Sequence, residues 1–167
     1  MNIVLIGFMG TGKTTVAKRI AGLTKMSYVS TDELIEEKEG MPINDIFLKR
    51  GEPHFRKIER AVVKDISDMD RVVVDAGGGV VMDPANMERL KKKGIVICLW
   101  AEPAEIYNRT RQYTHRPLLN VKDPMGKIKD LLEKRRPYYE RADFHVNTGR
   151  FSIDEAADSI IRMVKKL

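Results

Sequence analysis

The sequence predicts an α/β fold: a parallel sheet covered by helices on both faces. Three observations carry this expectation. Short apolar runs alternate with stretches of helical spacing along the whole chain, the pattern of parallel strands joined by crossover helices. Two of these runs, Val72-Val73-Val74 and Ile95-Val96-Ile97, are continuously apolar, as strands buried on both sides should be. Residues Gly7-Phe8-Met9-Gly10-Thr11-Gly12-Lys13-Thr14 fit G-x-x-x-x-G-K-S/T, a phosphate-binding turn that leads from a strand into a helix. At 167 residues the chain reads as one domain, 1–167, long enough for a substantial core.

Taken in order, strand 2–6 is the apolar run that the glycine-rich turn requires. Helix 13–24 follows, with Val16, Ile20 and Leu23 on one face. Strand 27–29 comes next, then helices 32–39, 43–49 and 52–67. Ser30, Thr31 or Asp32 could cap the first of these, and Glu33, Glu36 and Glu37 suit its early turns. Strand 71–75 ends in Asp75 and three glycines. Helix 84–93 ends in Lys91-Lys92-Lys93, which offsets the negative end of the dipole before Gly94 stops it. Strand 95–100 precedes helix 103–112. Helix 125–141, strand 143–146 and helix 153–165 complete the chain. Residues 112–124 carry Arg116, two prolines and no clear periodicity. A loop of that length is either disordered or a lid, and a basic loop facing a phosphate site reads as a lid.

Composition narrows the class. The hydrophobic fraction of 43% and charged fraction of 32% are ordinary for a globular protein. No apolar run approaches the roughly 18 residues of a membrane span, so no membrane partner is expected. The N-terminus opens into the first strand, which gives the expectation of no signal or transit peptide and a cytoplasmic setting. Cys98 is the single cysteine, has no internal partner and reads as a buried strand residue. A net charge of +6 suits nucleic acid or small polyanions. No aromatic residues interleave with a basic stripe, so nucleic acid is not expected.

The chemistry gathers in four groups. In the first, turn N–H groups and the dipole of the following helix receive phosphate oxygens, making Gly10, Thr11, Gly12 and Thr15 nucleotide contacts. Lys13 is expected to reach the β- and γ-phosphates, and the Thr14 hydroxyl to ligate Mg²⁺. The second is Asp32, a carboxylate at a strand end or helix start. It could merely cap the helix, or could orient or deprotonate an acceptor hydroxyl. The third is Asp75-Ala76-Gly77-Gly78-Gly79. A carboxylate ending an apolar strand has the Walker-B arrangement, holding Mg²⁺ directly or through water, and the glycines let backbone approach a ligand. The fourth is the arginines Arg56, Arg109, Arg116, Arg135 and Arg150. Arg56 could pair with Glu52 or Glu59 along its helix. Arg135 has no acidic partner at helical spacing, which leaves open both a ligand role and a solvated surface role.

Several of these features together resemble shikimate kinase. They are Met9-Gly10-Thr11-Gly12-Lys13-Thr14, Asp32 followed by Ile35-Glu36, Phe55-Arg56, Gly77-Gly78-Gly79, Arg116-Pro117-Leu118-Leu119, and Arg135 before Pro137 and Tyr138. The resemblance covers nearly the whole chain. It implies a P-loop fold like that of nucleoside monophosphate kinases, three layers (α/β/α) around a five-stranded parallel sheet. It also implies ATP-dependent phosphorylation of the 3-hydroxyl of shikimate, a step of aromatic amino-acid biosynthesis, with ATP and Mg²⁺ and, by expectation, as a monomer. By the same analogy Asp32 binds the acceptor hydroxyls and is the candidate base. Arg56 and Arg135 hold the shikimate carboxylate, and Gly77, Gly78 and Gly79 line that pocket. The segment 32–60 carries acceptor binding and 112–124 the lid. Arg116 closes onto the transferring phosphate, and Arg109 and Arg150 lie near the adenine. Lys13, Asp32 and Arg116 are the implied catalytic residues.

Two positions depart from the family pattern. The family usually shows Asp-Ser/Thr-Asp where this chain has Ser30-Thr31-Asp32, and a small or hydroxyl residue where it has Asp75. Both positions end strands expected to neighbour the P-loop strand. The expectation is that the metal-shell carboxylate has moved from position 30 to 75, so that Thr14 and Asp75 serve the metal. The alternative is that Asp75 caps or pairs elsewhere. Rival functions are a gluconate kinase-like or nucleotide kinase and a non-catalytic nucleotide-binding module. The guanine-reading Asn-Lys-x-Asp is absent, which weighs against a GTPase switch.

Overall fold

A computed structural model describes residues 1–111 and 121–167. The elements run β1 (Asn2–Ile6), α1 (Lys13–Thr24), β2 (Ser27–Ser30), α2 (Thr31–Glu39), α3 (Ile43–Arg50), α4 (Glu52–Asp68) and β3 (Val72–Asp75). A short 3-10 turn (Val80–Met82) precedes α5 (Pro84–Lys93) and β4 (Gly94–Trp100). Then come α6 (Pro103–Thr110), α7 (Pro124–Tyr139), β5 (Phe144–Asn147) and α8 (Ile153–Lys165). The expected elements all form, with ends shifted by at most two residues. Strand β3 starts one residue late because Arg71 takes a left-handed φ of 57°. The 3-10 turn is the one element that the periodicity did not signal. The expected lid falls mostly on 112–120, and Arg116 with it lies outside the described residues.

The described strands form one five-stranded parallel sheet in the order β2-β3-β1-β4-β5. This corrects one expectation. Strand β2 does not neighbour the P-loop strand, because β3 lies between them; Asp75 is opposite Leu5 on one side and Ser30 on the other. Asp75, rather than residue 30, therefore ends the strand beside the P-loop.

Alternation along the central strands sends side chains into two cores. Ile3, Leu5, Val73, Ile97 and Leu99 pack with Val16 and Ile20 of α1 and Ala157 and Ile160 of α8. Val4, Ile6, Val74 and Val96 pack on the other face with Val62 and Ile66 of α4, Leu90 of α5 and Ile128 of α7. These are the three expected layers. Leu23 is the exception: it is 46% exposed, because the buried face of α1 runs through Val16, Ala17, Ile20 and Ala21 and would next reach Thr24. Cys98 is buried as expected, and burial pushes its thiol pKa up to about 12, which leaves it inert. Among the described residues no helix is long and apolar enough to cross a membrane.

Candidate active site

An open cleft of about 1160 Å³ lies at the carboxyl ends of the strands. This is where a doubly covered parallel sheet leaves room for ligands. It is lined by the P-loop, the start of α2, the Asp75–Gly79 turn, Arg56 of α4, Arg109 of α6 and Arg135 of α7.

At one end is the P-loop. Gly10 and Gly12 adopt φ of 80° and 90°, a backbone that other residues rarely tolerate, and Gly12 leads directly into α1. The first turn of α1 has no side-chain cap and no acidic residue, so its N–H groups and dipole remain directed at the cleft. Lys13 is nearly buried, and its ammonium donates to the carbonyls of Gly7 at 2.8 Å and Phe8 at 3.1 Å. Thr15 also lines the cleft. Two residues brace the loop, Thr148 just after β5 and Arg109 of α6. The buried Thr148 hydroxyl donates to Thr11 O at 2.7 Å. Arg109 reaches Gly10 O at 3.2 Å and Thr148 O at 2.8 Å. Arg109 thus lies beside the P-loop. Arg150 does not line the cleft: it is exposed at the tip of the turn after β5, where its N–H meets Asn147 O. Phe151, Ser152 and Ile153 line that wall instead.

Beside the P-loop, Asp75 is 7% exposed. Its Oδ2 accepts from the Thr14 hydroxyl at 2.5 Å and the Tyr28 hydroxyl at 3.2 Å. A Thr–Asp pair beside a phosphate-binding turn is the arrangement expected of a Walker-B carboxylate. Ser30 serves the helix instead. Its Oγ accepts from Glu33 N at 3.2 Å and caps α2. Thr31 holds Gly77 N through its Oγ1 at 2.8 Å. Capping therefore falls to Ser30 and not to Asp32. Among the described residues no group of three His, Cys, Asp or Glu side chains is placed to hold a metal. A hydroxyl and one carboxylate next to a phosphate loop instead suit Mg²⁺, a hard ion that takes most of its shell from phosphates and water.

At the other end each of three glycines has a charged side chain close above it. A Cβ on Gly77 would lie 2.7 Å from Asp32 Oδ1. One on Gly78 would lie 3.1 Å from Arg135 Nη1, and one on Gly79 would lie 2.6 Å from Arg56 Nη2. The absence of side chains at these three positions is what lets Asp32, Arg135 and Arg56 approach the turn this closely. Arg135 is 6% exposed, so the surface reading left open for it fails; its guanidinium sits 5.5 Å from the Phe8 ring centroid. Arg56 does pair along its helix, with Glu59 at 2.9 Å and Glu52 at 3.4 Å, yet it also faces the cleft. Its Nε is buried with no hydrogen-bond partner among the described residues.

Two further residues support this end of the cleft. Glu59 is buried, and burial raises its carboxyl pKa against the opposing pull of the Arg56 guanidinium. The Tyr139 hydroxyl donates to Gly78 O at 3.0 Å; burial, opposed by Arg135, pushes its pKa up to about 12. Glu59 could be found only as a helical neighbour of Arg56, and nothing in the local sequence marked Tyr139.

Comparison with known proteins agrees with this geometry. Residues 9–165 match the family model described as shikimate kinase. A shikimate kinase of Thermodesulfovibrio yellowstonii is 48% identical, covering 99% of this chain and 96% of the relative. One from Caldanaerobacter subterraneus subsp. tengcongensis is 44% identical, covering 99% and 97%. The solved shikimate kinase of Acinetobacter baumannii in complex with shikimate superposes with a TM-score of 0.94 at 36% identity, covering 99% of this chain and 93% of that one. The chain belongs to the shikimate kinase family.

Proposed function

We propose that this chain transfers the γ-phosphoryl group of ATP to the 3-hydroxyl of shikimate, with acceptor binding on 32–60 and a lid at 112–124. The observation that carries this reading is the convergence of Asp32, Arg135 and Arg56 over Gly77, Gly78 and Gly79. Two arginines beside one carboxylate recognise an acceptor that carries both an acid group and hydroxyls. A nucleotide acceptor would not call for that pair, and a bare nucleotide-binding module would not need the acceptor pocket.

In this reading the P-loop N–H groups and the α1 dipole hold the phosphates, with Gly10, Thr11, Gly12, Thr14 and Thr15 as contacts. Lys13 exchanges its loop carbonyls for phosphate oxygens. Arg56 and Arg135 bind the shikimate carboxylate and fix the ring. Asp32 orients the 3-hydroxyl and takes its proton as the oxygen attacks. Arg116 neutralises charge on the transferring phosphoryl group, and Arg109 supports the nucleotide end. Phosphoryl transfer asks mainly for such alignment and charge neutralisation. Thr14 and Asp75 would hold Mg²⁺, Asp75 in place of the carboxylate the family usually carries at position 30, and the ion would supply neutralisation of phosphate charge. The chain works as a cytoplasmic monomer without nucleic-acid or membrane partners.

A coupled ADP-release assay tests this, with shikimate and gluconate as acceptors and with or without Mg²⁺. Turnover is expected with shikimate and Mg²⁺; preference for gluconate would overturn it. Arg56→Ala should chiefly raise the apparent KM for shikimate.

A further inference from the structure

An aspartate side chain has a broad terminal torsion, so the direction of its carboxylate must be set by its hydrogen bonds. Asp75 has two such bonds, and they reach it from different elements. Thr14 donates from the first turn of α1, and Tyr28 from the edge strand β2. In the parallel register Tyr28 lies opposite Val73 and Ser30 opposite Asp75, so residues 28, 30 and 75 share the sheet face that α1 covers. The Tyr28 side chain leans along the strand to the carboxylate. On its other side Lys18, one turn after Thr14, holds its ammonium 5.2 Å from the ring centroid. Tyr28 is thus gripped by the same helix that carries the metal-facing hydroxyl.

We infer that Tyr28 is a positioning residue for Asp75. The inference rests on the reading of Asp75 as the metal carboxylate, and in it the Tyr28 hydroxyl holds Oδ2. The second oxygen is then left to a metal-bound water. The relocation from position 30 to position 75 is therefore a change of three residues. Ser30 is committed to capping α2, Asp75 supplies the charge, and Tyr28 aims it. Outer partners of this kind orient metal-facing carboxylates and tune affinity for the ion.

The test is calorimetric titration of the full chain with ADP, with and without Mg²⁺, so that no turnover is involved. The readout is the ratio of the two affinities for the unaltered chain, Tyr28→Phe, Asp75→Asn and the double variant. Tyr28→Phe is expected to lower the ratio by roughly tenfold while Mg²⁺-free affinity holds. In the Asp75→Asn background the same change should do nothing further. An unchanged ratio for Tyr28→Phe, where Asp75→Asn does lower it, overturns the positioning role and leaves Asp75 in place. An unchanged ratio for Asp75→Asn overturns the metal reading and the inference with it. An equal loss of affinity with and without Mg²⁺ in Tyr28→Phe would mark a packing role and also overturn it.

Discussion

At the P-loop end of the cleft, the wall is one stretch of chain, the eight consecutive residues 9–16. At the other end three side chains, from α2, α4 and α7, gather over the glycine backbone after β3, and they meet only because the sheet places those elements together. One end is a property of a local stretch of chain and the other of the topology. The difference predicts different responses to change. A local cradle of N–H groups keeps its shape when neighbouring side chains are lost, apart from its lysine. An assembled pocket depends on each contributor and on the spacing between them.

The severest trial of this contrast is Asp32→Asn, where kcat should fall by about 10² to 10⁴, the range for loss of a positioned base. A loss of only a few-fold in steady-state turnover would remove Asp32 from the proton transfer. Next, Lys13→Ala should lower kcat by about 10² to 10³, as removal of a preorganised charge donor does. Its KM for ATP should rise while that for shikimate holds. A rise in the shikimate KM instead would break the division between the two ends. Gly79→Ala comes third. The added Cβ meets only the far end of the Arg56 side chain, so thermal midpoint should hold. Displacing one charge-assisted contact should raise the shikimate KM by roughly tenfold. The smallest effect belongs to Tyr139→Phe, which leaves Gly78 O without its donor. Denaturant unfolding should show a loss of about 1 kcal/mol with ATP affinity unchanged.

The same contrast explains what could be read from sequence. The P-loop was legible because its demands lie on adjacent residues, and Asp75 because a carboxylate closes an apolar run. The three glycines were legible as a place of close approach, but not which side chain each one admits. That pairing depends on α2, α4 and α7 reaching one turn. Strand order is likewise non-local: β2 and β3 both looked like neighbours of β1, and only packing put β3 between. Arg135 could be seen to lack an acidic neighbour, yet its burial against Phe8 is a tertiary fact. Arg150 illustrates the converse: it lies near the same strand end in sequence, and its exposure in the turn after β5 is likewise a tertiary fact. Thr148, Tyr28 and Tyr139 carry no local mark, since each acts on a partner more than 45 residues away.

The hold of Lys13 on Gly7 O and Phe8 O has a further consequence. The loop is folded around its own ammonium through contacts made within the chain. The conformational entropy of ordering it is therefore lost during folding, together with the core, and not at the moment of binding. Nucleotide binding then becomes an exchange of partners in a cavity already shaped. The affinity that ordering a flexible loop would otherwise consume remains available to the phosphates.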